Sequence, residues 1–358
     1  MRFAPKEGLR RILVALVSSE PASGAMSMKK FIRQEYLESP SAQFEHYDTA
    51  RPFRHLVLDD FFEPEYAESL LAEFPVFDVA KAMNENGEIG AKCVHDNLPE
   101  LGAPYQSLDE YIQSREFLGW LERVTGIDEL VYDPDYFGGG THENRHGQDL
   151  DPHVDFNKHP KTGLHRRLNL IVYLNREWRD DWGGAIELHK NPRLPPAQNE
   201  IEYVQPKFNR AVVFETTHWS WHGFERINLP EGDDDRRSRK SVALYFYSKT
   251  RPTEEQTKPH STIYVDRPLP DNIQPGTTLS EEDYQRISIL TARRDQHLKR
   301  LYDYISDLSA QNEELIAQRE RADSFTAAVS DKDTDKESTK RPAPGRRVRH
   351  WLARKLLG

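Results

Sequence analysis

His153-Val-Asp155, Leu168-Asn-Leu-Ile-Val-Tyr-Leu174, Trp182-Gly-Gly-Ala185, Arg210-Ala-Val-Val-Phe214, Trp221-His222-Gly223 and Arg239-Lys-Ser-Val-Ala-Leu-Tyr-Phe-Tyr247 follow one another across residues 153–247. The runs at 168–174, 185–189, 210–216 and 241–247 are short and bounded by turn residues such as Gly138-Gly-Gly140 and Gly183-Gly184. Strands of this length and spacing predict an all-β sandwich or barrel, and a jelly roll accommodates ligands between its faces. His153 and Asp155 lie two apart on an extended segment, so their side chains leave the same face and can share a metal ion. A second histidine from a distant strand completes two imidazoles and one carboxylate on one face of an octahedron. That set leaves positions open and suits non-haem Fe(II). A structural zinc site fills all four positions with protein ligands, usually with cysteine among them.

Upstream the pattern changes. Residues 1–50 show no sustained period and read as a poorly ordered lead-in. His55-Leu-Val-Leu58 reads as a strand, and Pro64 opens a helix to about Phe74, where Glu63 and Glu65 complement the dipole. Residues 79–105 read as a loop. A second helix is expected at about Ser107 to Val124, with Leu108, Tyr111, Ile112, Phe117, Leu118 and Leu121 on its apolar face. The expected fold is mainly β with flanking helices: a double-stranded β-helix (jelly-roll) core at about 129–250 within a domain spanning 51–255. A C-terminal helical extension follows.

Five prolines at 252, 259, 268, 270 and 275 mark an irregular linker, placed at 256–279. A helix is expected over 280–325, with Ser280-Glu-Glu-Asp283 as its start. Leu298, Leu301, Ile305, Leu308, Asn312 and Leu315 step alternately by three and four, a heptad seam with one polar member. Such a residue can set register in a dimer, so residues 287–315 are a candidate homodimer coiled coil, in competition with a helix docked on the β domain. Residues 326–358 read as a disordered segment rich in Ser, Thr, Asp and Lys, then a basic amphipathic tail suited to peripheral contact with an anionic membrane.

Composition narrows the classes. A hydrophobic content of 37% supports a real core across 358 residues, while 30% charge and a mean hydropathy of −0.80 imply solvated extensions. The net charge of −10 argues against bulk nucleic-acid binding. Cys93 is the single cysteine, which excludes an intrachain disulfide and a cysteine-rich zinc site. A reducing cytoplasm fits, and it keeps iron ferrous. No apolar run approaches the roughly 18 residues of a membrane span. Arg10-Arg11 and the apolar Ile12 to Val17 resemble a signal peptide, but that core is shorter than the usual run of about 7–15 residues. A short amphipathic extension, or a start at Met26 or Met28, is the expected reading.

A lone His-x-Asp is a weak signal among 14 histidines; order and context strengthen it. The first pair precedes a β run, His222 follows another, and Arg239 opens the last strong one. Over roughly residues 50–250, including His55-Leu-Val-Leu-Asp-Asp-Phe61, the chain resembles the Fe(II)- and 2-oxoglutarate-dependent oxygenases, in particular their prolyl-4-hydroxylase-like branch. The resemblance implies His153, Asp155 and His222 as iron ligands. It implies that Arg239 grips the distal carboxylate of 2-oxoglutarate, for which the guanidinium fork is suited. Tyr136 matches a tyrosine that hydrogen-bonds the cosubstrate. The implied cofactors are Fe(II) and 2-oxoglutarate, with ascorbate a further candidate. The implied reaction is O2-dependent hydroxylation of an unactivated C–H bond, giving succinate and CO2, on a protein, a sugar, a lipid-linked glycan or a small molecule.

The His222–Arg239 interval is longer than is common in that family, and the excess falls in Pro230-Glu-Gly-Asp-Asp-Asp-Arg-Arg237. Arg236 and Arg237 are therefore fallback partners for the cosubstrate. His218, four residues before His222, is the alternative distal ligand, since that spacing along a strand preserves facing. His142, His146, His159 and His165 read as surface or supporting residues. Asn169 and Tyr173 either line the pocket or pack. The rival readings are a cupin-like metal jelly roll with isomerase or lyase chemistry, and a non-catalytic scaffold.

Overall fold

The structure, a computed structural model, describes residues 31–82, 92–230, 232, 237–270 and 272–337. The expected signal-like segment, Arg236 and the basic tail lie outside the described residues. The chain divides into two compact units, residues 1–268 and 269–358.

In the first unit, helices α1 (Gln34–Glu38), α2 (Pro40–Thr49), α3 (Pro64–Ala72), α4 (Ala103–Ile112) and α5 (Arg115–Thr125) accompany twelve strands. These are β1 (His55–Leu58), β2 (Cys93–His95), β3 (Val131–Tyr132), β4 (Gly140–Asn144), β5 (Leu150–Val154), β6 (His165–Tyr173), β7 (Ile186–His189), β8 (Ile201–Val204), β9 (Ala211–Glu215), β10 (Trp221–Phe224), β11 (Arg239–Ser248) and β12 (Ile263–Tyr264). The larger sheet runs β1-β9-β6-β11-β4-β2, with β3 also on β11, and the smaller runs β12-β5-β10-β7-β8. Every pairing between these strands is antiparallel. The two sheets make the expected double-stranded β-helix, without a closed barrel.

Strand periodicity explains how one sheet serves two environments. Leu168, Leu170 and Val172 of β6 and Val242, Leu244 and Phe246 of β11 join the helical residues Leu108, Phe117 and Leu121 in the main core. The alternate residue Tyr173 of β6 packs instead with Val212, Phe214, Ile186, Leu188 and Val204, between the sheets. Asn169 and Tyr245 are cross-strand partners of the same phase, so polar side chains collect on the inner face.

Three sequence expectations are revised. Residues 31–50 are not a loose lead-in: Phe31, Ile32 and Tyr47 are fully buried, and Arg33 N donates to Phe61 O at 3.1 Å. The helix expected at 107–124 is two helices, because Ser114 caps α5 by accepting from Phe117 N at 3.2 Å. Residues 256–268 are not a free linker. Ile263 and Tyr264 pair with Val154 and His153, and Arg267 holds Glu187, Leu150 O and Phe224 O. An edge strand tolerates flanking prolines, which is why this one reads as a linker.

In the second unit α6 spans Glu281–Glu337, so its helix continues past the expected end at 325. Ser280 and Asp283 form a reciprocal capping box: Asp283 N donates to Ser280 Oγ at 3.1 Å and Ser280 N to Asp283 Oδ2 at 3.0 Å. Leu298, Leu301, Ile305, Leu308 and Leu315 are each 45–62% exposed, which leaves the heptad seam open on this helix.

Candidate metal centre

β5 and β10 are adjacent, and His153 lies directly opposite His222 in their register. The ring centroids are 4.2 Å apart. Gly223 is required by this approach, because a Cβ there would stand 2.6 Å from Leu150 O. Asp155 follows β5 by one residue; its Oδ1 lies 3.8 Å from His153 Nε2 and its Oδ2 3.6 Å from His222 Nε2. One ligand atom from each of the three residues falls within 4.8 Å of the others.

The histidine tautomers are set by the backbone. His153 Nδ1 lies 3.0 Å from Asp151 O and His222 Nδ1 3.0 Å from Ser220 O. A carbonyl only accepts, so each Nδ1 carries the proton and each Nε2 presents a lone pair toward Asp155. Burial, then the neighbouring His222 imidazole, pushes His153 down to about 3, and burial also lowers His222. Burial alone would raise the Asp155 carboxyl, but the Arg166 guanidinium, aided by both histidines and Asn169, holds it well below the usual range. Two neutral imidazoles and an ionised carboxylate are the states a cation needs.

Asp155 is oriented as well as charged. Asn169 Nδ2 donates to Oδ2 at 2.8 Å and Arg166 Nη2 lies 3.1 Å from the same oxygen. Arg166 is 1% exposed, bonds Asn169 Oδ1 at 2.8 Å, and stacks 3.6 Å over the Tyr245 ring. Arg166 is absent from the sequence reading; its only signal is its place two residues before the apolar run.

A second cluster, Asp133, Asp135 and His159, has the opposite tautomer. His159 Nδ1 accepts from Lys161 N and Thr162 N, both at 3.2 Å, so Nε2 carries the proton and faces Asp133 Oδ1 at 3.3 Å. Asp133 in turn accepts from Asp135 N and Phe137 N at 2.9 Å. This cluster ties a loop and presents no free nitrogen to a metal.

Arg239, at the start of β11, is 5% exposed. It donates through Nε to Gly184 O at 2.7 Å and through Nη2 to Tyr173 OH at 3.1 Å, and has no carboxylate partner among the described residues. Gly184, at φ +71°, makes room: a Cβ would meet Trp178 at 2.9 Å and Arg239 Cδ at 3.3 Å. Arg237 instead pairs with exposed Glu177 at 3.1 Å and lies over Trp182. Tyr136 is not brought to the site: its hydroxyl donates to Asp109 at 2.7 Å and its ring joins the main core. Tyr173 holds the place beside Arg239.

His218 is exposed in the turn before β10, its ring against Trp219 at 4.4 Å. The turn breaks the strand phase on which its candidacy depended. It lines a cleft of about 300 Å³, open mouth included, with Asp155, Asn157, His165, Thr216 and Arg251.

Residues 139–247 match the family model of the 2OG-Fe(II) oxygenase superfamily. The chain is 25% identical over 190 residues to prolyl 3-hydroxylase OGFOD1 of Mus musculus, covering 49% of this chain and 28% of that protein. The chain thus spans little more than a quarter of the length of that relative. Among solved structures, a prolyl 4-hydroxylase from Phytophthora capsici is similar, with a TM-score of 0.40, 21% identity and coverage of 60% of this chain and 65% of the other. HygX from Streptomyces hygroscopicus, with nickel and 2-oxoglutarate bound, is similar at a TM-score of 0.39 and 13% identity, covering 63% and 96%.

Proposed function

We propose that this chain, whose residues 139–247 form a 2OG-Fe(II) oxygenase core, is a 2-oxoglutarate- and O2-dependent hydroxylase. Fe(II) held by His153, Asp155 and His222 supplies the oxidising chemistry, in which substrate C–H, 2-oxoglutarate and O2 become substrate C–OH, succinate and CO2. The chain's own residues hold the rest in place: Arg239 with Tyr173 grips a cosubstrate carboxylate, and Asn169 and Arg166 fix the Asp155 carboxylate. The observation that carries this reading is the convergence of two unprotonated Nε2 atoms on an ionised Asp155. A cupin-like isomerase or lyase gives no reason for a buried guanidinium that meets no carboxylate among the described residues.

Purified protein loaded anaerobically with Fe(II) is expected to bind 2-oxoglutarate in calorimetry and to release succinate once O2 is admitted. Metal binding without either response transfers the assignment to the cupin-like reading.

The second unit serves assembly and localisation in this proposal. The open seam of α6, with Asn312 at its one polar position, supports a homodimer. The basic tail supports peripheral attachment to an anionic membrane from the cytoplasm; among the described residues no helix is long and apolar enough to cross one. Truncation after Pro268 tests all of this at once. The shortened chain is expected to keep 2-oxoglutarate turnover, sediment as a monomer where the full chain is a dimer, and lose salt-sensitive binding to anionic vesicles. Loss of turnover by a folded truncation would overturn the division of labour. Truncation after Glu255 should cost turnover, because it removes β12 and Arg267.

A further inference from the structure

Lys92 immediately precedes β2, in which Val94 pairs with His142 of β4. His142 pairs with Ser241 of β11, and Ser241 with Tyr173 of β6, so one row of the large sheet runs from β2 to the tyrosine beside Arg239. Lys92 lies two residues from Val94, and period 2 returns it to the same face. Its ammonium stands 3.3 Å from His142 Nε2 and 3.5 Å from Nδ1. His142 Nε2 also lies 3.1 Å from Gly138 O, a pure acceptor, so Nε2 carries the proton and only the longer Nδ1 contact can accept from Lys92. An ammonium has three donors, and among the described residues this one meets no carboxylate within ion-pair distance. Cys93 pairs with Glu143 and Arg239 with Asn144 of the same strand, so the register brings Lys92 and Arg239 to one end of β4, and the Lys92 charge is felt by Asp155, Arg166 and Arg239. Burial lowers the Lys92 ammonium to about 8.

Arg166 neutralises Asp155 at 3.1 Å. Among the described residues Arg239 is bonded only to a carbonyl and a phenol. Among the described residues Lys92, half-buried, and Arg239, buried, are therefore two cations without a carboxylate partner on the inner face of the large sheet. Unpaired charge in such a place is costly unless a ligand compensates it. A dicarboxylate has the matching charge.

We infer that Lys92 is the second cation of the 2-oxoglutarate site, neutralising one carboxylate while Arg239 grips the other. This rests on the proposed function, and it adds a contact that the 2-oxoglutarate site implied by the sequence does not include. A lysine serving an acidic group of the substrate would leave cosubstrate affinity untouched, which separates the two assignments.

The test uses the full chain loaded with Zn(II), which has no redox chemistry, and titrates 2-oxoglutarate calorimetrically into wild type, Lys92→Met and Lys92→Arg. Wild type is expected to bind. Lys92→Met is expected to lose about tenfold to a hundredfold in affinity, the size of one charge-assisted hydrogen bond, while holding zinc as wild type does. Lys92→Arg, which keeps the charge, should recover most of the loss. Equal 2-oxoglutarate affinity in wild type and Lys92→Met overturns the inference, as does an arginine variant as weak as the methionine one. If wild type binds zinc but no 2-oxoglutarate, the functional reading itself fails.

Discussion

His222→Ala is expected to abolish Fe(II) binding and 2-oxoglutarate turnover together, whereas His218→Ala keeps both. The difference comes from where the backbone puts each ring. His222 sits inside β10, opposite His153, with Nδ1 committed to Ser220 O and Nε2 facing Asp155 at 3.6 Å. Alanine there leaves one imidazole and one carboxylate to hold a divalent ion. Losing a group that only orients a ligand typically costs about 10- to 100-fold in metal affinity, so losing a ligand should cost more. His218 is exposed on the turn, against Trp219, and borders the cleft. Its removal should leave the anaerobic metal isotherm unchanged and lower turnover by a few-fold at most. Both isotherms are read on variants whose folding is checked first, because the His222 ring is buried and packs 4.7 Å from Phe214. An His218→Ala variant that loses iron while His222→Ala keeps it would falsify the assignment of the distal ligand.

The sequence made the two-faced strands legible because their alternation is a property of the strands themselves. Leu168, Leu170 and Val172 alternate with Asn169, Ile171 and Tyr173, and the structure sends the first set to the helices and Tyr173 between the sheets. His153 and Asp155 were legible for the same reason, as period 2 alone puts them on one side. What escaped is what depends on neighbours distant in sequence. Arg166 looks like a solvated charge beside Arg167, yet it is 1% exposed because Tyr245 and Phe156 sandwich it and Asp155 balances it. Lys92 lies within residues 79–105, which read as a loop, and only the β2–β4 register beside it gives it a face.

The tyrosines are a sharper case. Tyr136 precedes a run of glycines, a context that resembles a cosubstrate contact. Its backbone, however, takes a positive φ of 47°, and its hydroxyl meets Asp109 on α4. Tyr173, read as either pocket or packing, is the one that touches Arg239. The seam of α6 is visible in sequence as a heptad; whether a second copy covers it is a matter of association, and that is why the truncation is tested for mass as well as turnover.

Arg239→Ala is expected to leave iron binding intact and raise the 2-oxoglutarate requirement by at least about a hundredfold. Arg239 is no metal ligand, and its guanidinium bonds Gly184 O at 2.7 Å and Tyr173 OH at 3.1 Å. These two bonds aim the fork; the ring faces of Phe224 and Tyr173, 4.3 and 4.9 Å from Cζ, confine it. A charge-assisted bidentate contact to a carboxylate is among the strong hydrogen bonds, roughly twice a neutral one. Its loss at about 3 kcal/mol or more corresponds to about a hundredfold or more in affinity, since roughly 1.4 kcal/mol is tenfold. Tyr173→Phe removes one of the two aiming bonds and leaves the charge, so it should cost only about tenfold. Arg237→Ala should cost nothing measurable, because Arg237 pairs with exposed Glu177 and stacks on Trp182, away from the tyrosine. Anaerobic calorimetry of metal first and 2-oxoglutarate second separates the steps. If Arg237→Ala weakens 2-oxoglutarate more than Arg239→Ala, the long turn after His222 hides a different grip on the cosubstrate. If Arg239→Ala also loses iron, its contact with Gly184 is holding the sheet together rather than receiving a ligand.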